Sequence, residues 1–265
     1  MEKTKTYCTS LNSGFMKKAT ILILTVFSFW QAFSMDIKQL EDSASFYYIK
    51  ADYVNAAKFY DSIISKDFSS SGLFLNAGNC YYQTGDLAQA IYFYEKSLCL
   101  NPSNSDAKHD LDIANGKIKS KTEELPVAFY NKWFVSIISI MSSDTWAIVS
   151  IILFILSLGL AGLYLFSKSI SYRKTGFIIG VITLTFTILS IVFSINLSNR
   201  ITGSKFAIVF DNGLVKATPN IESNNLFEVN DGLKVEITDS LNEWYNIKLS
   251  DGKQGWIAAK NIKRI

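Results

Sequence analysis

Apolar positions take three different spacings along this chain, and each predicts a different kind of element. Between residues 35 and 120 they recur every three or four positions, as on a helix with one buried face. Two runs follow, TWAIVSIILFILSLGLAGLYLF at 145–166 and FIIGVITLTFTILSIVFSINL at 177–197, each longer than 20 residues and uncharged. At ~1.5 Å rise per residue each covers roughly the 30 Å of bilayer hydrocarbon, so both are predicted as transmembrane helices. From residue 206 the spacing drops to two. FAIVF, LVKAT, LKVEITDS, EWYNIKLS and GWIAAKNIKRI read as five short strands separated by DNG, NDG and SDG turns. Strands of that number and length predict a small closed barrel.

The helical region repeats itself. At an offset of 34, Leu40 precedes Phe74, Ala44 precedes Gly78, Tyr47 precedes Tyr81, and Tyr53 precedes Leu87. Ala56 and Ala90, Tyr60 and Tyr94, and Ile64 and Leu98 continue the register. In the second copy Gly78 is small where two helices should cross, with Tyr81 and Tyr94 on either side. Gly85-Asp86 makes the turn, and Asn101-Pro102 ends the unit. The segment resembles the tetratricopeptide repeat, a helix-turn-helix unit of this period. SNSDAKHDLDIANGKIKS then supplies Ala107, Leu111, Ala114 and Ile118 on one side of a capping helix, giving two repeats plus a cap over 35–120. The resemblance implies a concave face lined by the first helix of each repeat: Glu41, Ser45 and Tyr48, then Leu75, Asn79, Tyr82 and Gln83. Such faces grip peptides or partner helices. Glu41 and Leu75 stand where the family's carboxylate clamp has lysines.

Upstream, MKKATILILTVFSFWQAFSMD at 16–36 has a charged start, an apolar core and a small-residue Ala32-Phe33-Ser34 ending, the pattern of a secretory signal peptide. Met16 then reads as its start, residues 1–34 as leader and signal, and an uncleaved anchor is the alternative. Between the two apolar runs, SKSISYRKTG carries Lys168, Arg173 and Lys174 and no acid, so a cytoplasmic loop is predicted at 168–174 with both flanks across the membrane. That agrees with the signal segment. KWFVSIISIM, ahead of the first span, is predicted to lie along the membrane interface or to pack on the repeats, within a linker at 121–142. GFIIG puts Gly176 and Gly180 on one helix face, which allows close helix contact. Neither span holds an ionisable residue, which disfavours ion or proton transport.

The last 60 residues resemble a bacterial SH3 domain. VKATPN, VNDGLKVEI and the hairpin EWYNIKLSDGKQGWI with its closing AKNIKRI carry the resemblance, DGKQGW most of all. Trp244 aligns with the groove tryptophan of SH3 domains and is the candidate ligand residue. Ala258 and Asn261 stand where the groove has proline and tyrosine, so PxxP recognition is not implied. Trp244 is either a ligand platform or a packing residue. In the alternation, Trp244, Asn246 and Lys248 face one way and Tyr245, Ile247 and Leu249 the other.

Composition removes several classes of function. Net charge is +3 with no basic stripe interleaved with aromatics, so nucleic acid is not an expected partner. One histidine, His109, and three cysteines leave no usual metal-ligand spacing, and no catalytic triad, phosphate loop or acid pair stands out, so no cofactor and no catalytic residue is expected. Cys80 and Cys99 sit in the two helices of one repeat, either as buried small apolar side chains or as a disulfide pair.

The order of parts (signal peptide, 1–34; repeats, 35–120; linker, 121–142; transmembrane hairpin, 143–197; linker, 198–205; SH3-like barrel, 206–265) resembles the BatE-type proteins of the Bacteroides aerotolerance cluster. The resemblance implies a multidomain inner-membrane protein with von Willebrand-type partners and a role in oxidative or envelope stress. The expected function is a non-catalytic scaffold holding both modules in the periplasm for protein partners. A cell-wall sensor binding peptidoglycan through the barrel is the alternative.

Overall fold

In the computed structural model of the chain, the described residues are 37–118, 129–202 and 205–265. The predicted leader and signal segment, the first part of the 121–142 linker and residues 203–204 lie outside them. The chain divides into two compact units, Met1–Phe68 and Ser69–Ile265.

The first unit is a helix pair, α1 (37–49) and α2 (Tyr53–Ile64). Ala44, Ala56, Ala57, Tyr60 and Ile63 are buried, and Tyr47 stacks on Phe59 at 5.4 Å. Asp52 caps α2, its carboxylate accepting the Asn55 N–H at 3.3 Å and the Asn55 side-chain amide at 2.8 Å. Ala51 precedes it with φ 59°, the left-handed geometry that the second copy gives to Gly85 at φ 88°. Both copies bend the chain the same way, but only one uses the residue without a Cβ.

The second unit opens with the other repeat, α3 (Ser71–Thr84) and α4 (Leu87–Leu100), followed by α5 (Ser105–Lys117). Ser70, Asp86 and Asn104 cap these helices, each accepting a backbone N–H three residues on. Gly78 is where α3 meets α4: a Cβ there would lie 2.6 Å from the Tyr94 ring. The Tyr94 hydroxyl donates to Asn79 Oδ1 at 2.7 Å, and Phe93 stacks between Phe74 and Tyr81. α5 buries Ala107, Leu111 and Ala114, the stripe its spacing predicts.

A short helix, α6 (Phe129–Ile138), leads into two long ones, α7 (Ser143–Phe166) and α8 (Ile170–Thr202). Both long helices are long and apolar enough to cross a membrane. α8 begins earlier than its apolar run. Arg173 and Lys174, expected in a loop at 168–174, lie on its first turns, because SISYRKTG contains no helix breaker until Gly176, which the helix absorbs. The connection shrinks to about residues 167–169. Within KWFVSIISIM, Trp133 is 71% exposed whereas Ile138 is fully buried. The Ile138 carbonyl accepts the Trp146 indole N–H at 3.0 Å.

α7 and α8 pack antiparallel along a seam with alternating three- and four-residue steps. Ser143, Trp146, Ser150, Leu153, Ser157, Leu160 and Tyr164 are buried or half-buried on α7. Gly176, Gly180, Thr183, Thr187, Ser190, Ser194 and Leu197 answer them on α8. A 3.5-residue period is that of a left-handed supercoiled pair. Hydrogen bonds cross the seam near its open end: Ser143 Oγ donates to the Ser194 carbonyl at 3.1 Å, Ser194 Oγ to the Ser143 carbonyl at 3.0 Å, and Ser190 Oγ to the Trp146 carbonyl at 2.8 Å. At the tip Gly176 lets the backbones approach, since a Cβ would lie 3.1 Å from the Leu160 carbonyl oxygen.

The C-terminal part is one antiparallel sheet of seven strands, not five. They are β1 (Phe206–Val209), β2 (Gly213–Lys216), β3 (Asn225–Val229), β4 (Lys234–Leu241), β5 (Trp244–Lys248), β6 (Gln254–Ala258) and β7 (Ile262–Arg264), in spatial order β3-β2-β6-β5-β4-β1-β7. β3 escaped the pattern because its burial does not alternate. The final apolar run is cut in two by a single 3₁₀ turn, Ala259–Asn261. All seven strands feed one core, including Ala207, Val215, Val229, Val235, Ile247, Ile257 and Ile262, so the sheet curls around it even though β3 and β7 do not pair with each other.

Candidate functional site

The residues expected on the repeat face fall on matching helix positions. Glu41 and Ser45 are exposed on α1, and Tyr48 is half-buried with its ring edge-on to Tyr53 at 5.3 Å. On α3, Leu75, Asn79 and Tyr82 are half-buried and Gln83 is exposed. Two of these are already engaged within the unit. Asn79 holds the Tyr94 hydroxyl, and the Lys117 ammonium of α5 sits 4.2 Å over the Tyr82 ring. The face thus offers Tyr82 as an aromatic plate beside a cation, with Gln83 at its rim.

Trp244 is half-buried on β5, opposite Ala258 on β6. It lies on the outer side of the sheet with Asn246 and Lys248, while Ile247 and Leu249 enter the core as the alternation requires. Trp256 is the next outward residue on β6, facing Asn246 and Lys216, so two indoles are diagonal neighbours on one sheet face. Beside them Lys216 ties down the β2–β3 loop. Its ammonium donates to the Ile221 carbonyl at 2.7 Å, the Ser223 carbonyl at 3.1 Å and Asn225 Oδ1 at 3.2 Å. The loop bordering the tryptophans is therefore pinned by one charge. Asn261 is half-buried in the 3₁₀ turn, its carbonyl accepting the Phe210 N–H at 2.8 Å.

The structure adds a contact between the two modules of the second unit: the barrel sits on the outer face of α4. The Lys234 ammonium meets Glu95 Oε2 at 2.7 Å, with the Glu95 side chain only 12% exposed. The Tyr92 ring meets Phe210 edge-on at 5.9 Å and lies 4.3 Å beneath the Lys263 ammonium. Gly232 lies against Ile91 and Ile118, where a Cβ would come within 3.2 Å and 3.4 Å of their methyl groups. Glu95 and Lys234 are 139 residues apart, and no local motif announces their pairing. One signal did exist: AIYFY at 90–94 makes α4 apolar around its whole circumference, and a helix of that kind is covered on more than one side.

Where α4, the far end of α8 and the barrel meet, a cleft of about 660 Å³ has Cys99, Leu197 and Lys205 among its walls. Burial pushes the Cys99 thiol above its ordinary pKa; the neighbouring Glu95 charge adds to the shift, and Lys234 and Lys96 oppose it. A thiol held protonated is a poor nucleophile. Cys80 is buried, and the two thiols are not bonded to each other. His109 is exposed on α5. Among the described residues no group of three or more His, Cys, Asp or Glu side chains is arranged to hold a metal ion.

Comparison with protein families finds a match in each module. Residues 212–263 match the family described as bacterial SH3 domain, and residues 73–104 match the tetratricopeptide repeat, covering the second of the two copies. No curated protein matches the chain. The chain thus joins a tetratricopeptide helical repeat to a bacterial SH3-type antiparallel sheet through two helices long and apolar enough to cross a membrane.

Proposed function

We propose that this chain is a non-catalytic scaffold of a bacterial inner membrane, presenting its repeats and its barrel together in the periplasm to protein partners. The observation that carries the reading is the docking of the barrel on α4 through Glu95–Lys234 and the Tyr92 contacts. Docked modules keep a fixed spacing, which raises the effective concentration of one binding surface at the other when a partner spans both. Tetratricopeptide and SH3 modules are interaction modules, and no enzyme family is indicated. The basic hairpin tip supports the orientation, with Lys168, Arg173 and Lys174 on the cytoplasmic side. The proposed partner contacts are Glu41, Ser45 and Tyr48 on the first unit, Leu75, Asn79, Tyr82 and Gln83 on the second, and Trp244 on the barrel. The order of parts is similar to that of BatE-type proteins, a resemblance that supports von Willebrand-type membrane proteins as partners and a role in oxidative or envelope stress.

Co-purification from detergent-solubilised membranes tests this. Tyr82→Ala with Gln83→Ala should lose the partner retained by the parent chain while leaving the elution profile unchanged. Retention of every partner by that variant, and by Trp244→Ala, would refute the scaffold.

A second reading draws on the paired outward indoles of the barrel. Trp244 and Trp256 make a stacking surface suited to sugar rings, so the barrel would bind peptidoglycan. Sedimentation of the solubilised chain with purified sacculi separates the two readings. Loss of sedimentation in Trp244→Ala supports this one, and absence of sedimentation by the parent chain removes it.

A further inference from the structure

We infer that the tip of the α7–α8 hairpin is a binding site for the headgroup of an anionic phospholipid. The inference rests on reading α7 and α8 as membrane spans, though not on which leaflet receives the tip.

A cleft of about 280 Å³ opens there, lined by Tyr164, Ile170, Arg173, Lys174 and Phe177. Its two walls differ in chemistry. The Tyr164 and Phe177 rings meet at 5.6 Å with a 45° tilt, and Phe177 and Ile170 are 56% and 71% exposed. On the other wall the Arg173 guanidinium lies 5.4 Å over the Tyr164 ring, with Lys174 beside it. Stacking restrains the guanidinium plane, leaving its edge donors for a ligand. Gly176 closes α8 against α7 next to the cleft, so the hairpin itself keeps the walls in place.

Charge selects the ligand. From residue 145 to residue 210 the sequence contains no aspartate or glutamate. Lys168, Arg173 and Lys174 therefore gather at one membrane face with no carboxylate in their own segment. A phosphodiester supplies the missing negative charge, and a planar guanidinium binds two of its oxygens at once. A zwitterionic headgroup would bring an ammonium into a place without an acceptor acid. Size is restrictive: at about 280 Å³ the cleft falls just under the roughly 300–1,000 Å³ of drug-sized sites, room for a headgroup but not for acyl chains. The chains have the exposed Phe177, at the start of the apolar run, to run along.

The full-length chain in detergent, titrated with phosphatidylglycerol or phosphatidylethanolamine and read by native mass spectrometry, tests the inference. Phosphatidylglycerol should be retained in clear preference. Arg173→Gln and Lys174→Gln should each weaken retention roughly fivefold, and the double variant roughly 25-fold. Lys168→Gln removes the same charge outside the cleft and should cost less than about twofold. Three results would overturn the site: equal uptake of both lipids, a Lys168→Gln loss equal to that of Arg173→Gln, or full displacement by inorganic phosphate, which would mark a soluble-anion site. Alkaline extraction of membranes checks the underlying reading separately. A chain released by carbonate is not spanning, whereas a chain retained without lipid preference refutes only the headgroup site.

Discussion

Two glycines of the hairpin, changed to the same residue, should shift stability in opposite directions. Gly176 and Gly159 both lie inside long helices, so replacing either by alanine gains about 1 kcal/mol of helix propensity, less in a membrane than in water. At Gly159 nothing lies within 4 Å of the added methyl. At Gly176 the methyl would lie 3.1 Å from the Leu160 carbonyl oxygen, 3.2 Å from Leu163 Cδ2 and 3.4 Å from the Tyr164 nitrogen. Two of those three atoms are backbone and cannot rotate away, so the helices must part along the tip of the seam. Overpacking of this kind costs about 1–3 kcal/mol, which outweighs the propensity gain and leaves about 1 kcal/mol of net destabilisation. At roughly 2–4 °C per kcal/mol, Gly159→Ala should melt a few degrees higher than the parent and Gly176→Ala a few degrees lower. Thermal challenge in mild detergent, scored by the surviving monodisperse fraction, resolves that difference. If Gly176→Ala stabilises the chain as much as Gly159→Ala does, the seam is packed differently from the description above.

Other substitutions probe the remaining elements. Ala51→Gly should stabilise the first helix pair by about 0.5–1 kcal/mol, because it removes a Cβ from a left-handed residue; chemical unfolding followed by helicity would show it. Gly78→Ala drives a methyl into the Tyr94 ring and should destabilise the second repeat by about 1–2 kcal/mol, seen as lost amide protection in α3 and α4. Glu95→Gln removes a charge that raises the Cys99 pKa, so the pH profile of Cys99 alkylation, mapped by peptide mass, should move to lower pH. Asp251 has its carboxyl held below the ordinary 3.8, first by the Lys253 backbone N–H and then by its ammonium. A depressed carboxyl stabilises the hairpin above the unfolded value and loses that contribution as pH falls below 3.8 through the folded value. Asp251→Asn should therefore flatten the acid limb of barrel unfolding.

What the sequence disclosed and what it withheld follow from the range of the interactions. The 34-residue echo was legible because Gly78, Tyr94, Gly85 and Asp86 act within one helix pair, and the structure uses each as its chemistry suggests. The Asp-Gly turns at Gly232 and Gly252, with φ 80° and 91°, and the alternation around Trp244 were legible for the same reason, whereas Asn212-Gly213 makes no hairpin: Gly213 opens β2, which does not pair with β1. β3 was hidden because NLFEV buries only its last residue, and the early start of α8 because basic residues at a span's edge also look like loop. The serine and threonine seam was present in plain spacing, yet hydroxyls carry no charge to mark them inside an apolar run, and which of them bond across helices depends on the partner helix. The Glu95–Lys234 contact lies beyond any sequence window. For the repeat-face residues, the sequence supplied helix positions but not that Asn79 and Tyr82 already have partners in their own unit.

The length of α8 has a mechanical consequence. Its 33 residues make a rod of about 50 Å, against roughly 30 Å of hydrocarbon, whereas the 24 residues of α7 reach about 36 Å. On the reading of α8 as a span, the surplus divides: residues 170–176 carry about 10 Å of it, with Arg173 and Lys174, past the hydrocarbon at the tip, and residues 198–202 leave about 8 Å of helix before the first strand. A leash that short would hold the sheet close to the lipid surface in a bilayer of any thickness, and a thicker one would strain the charged tip before it reached the sheet.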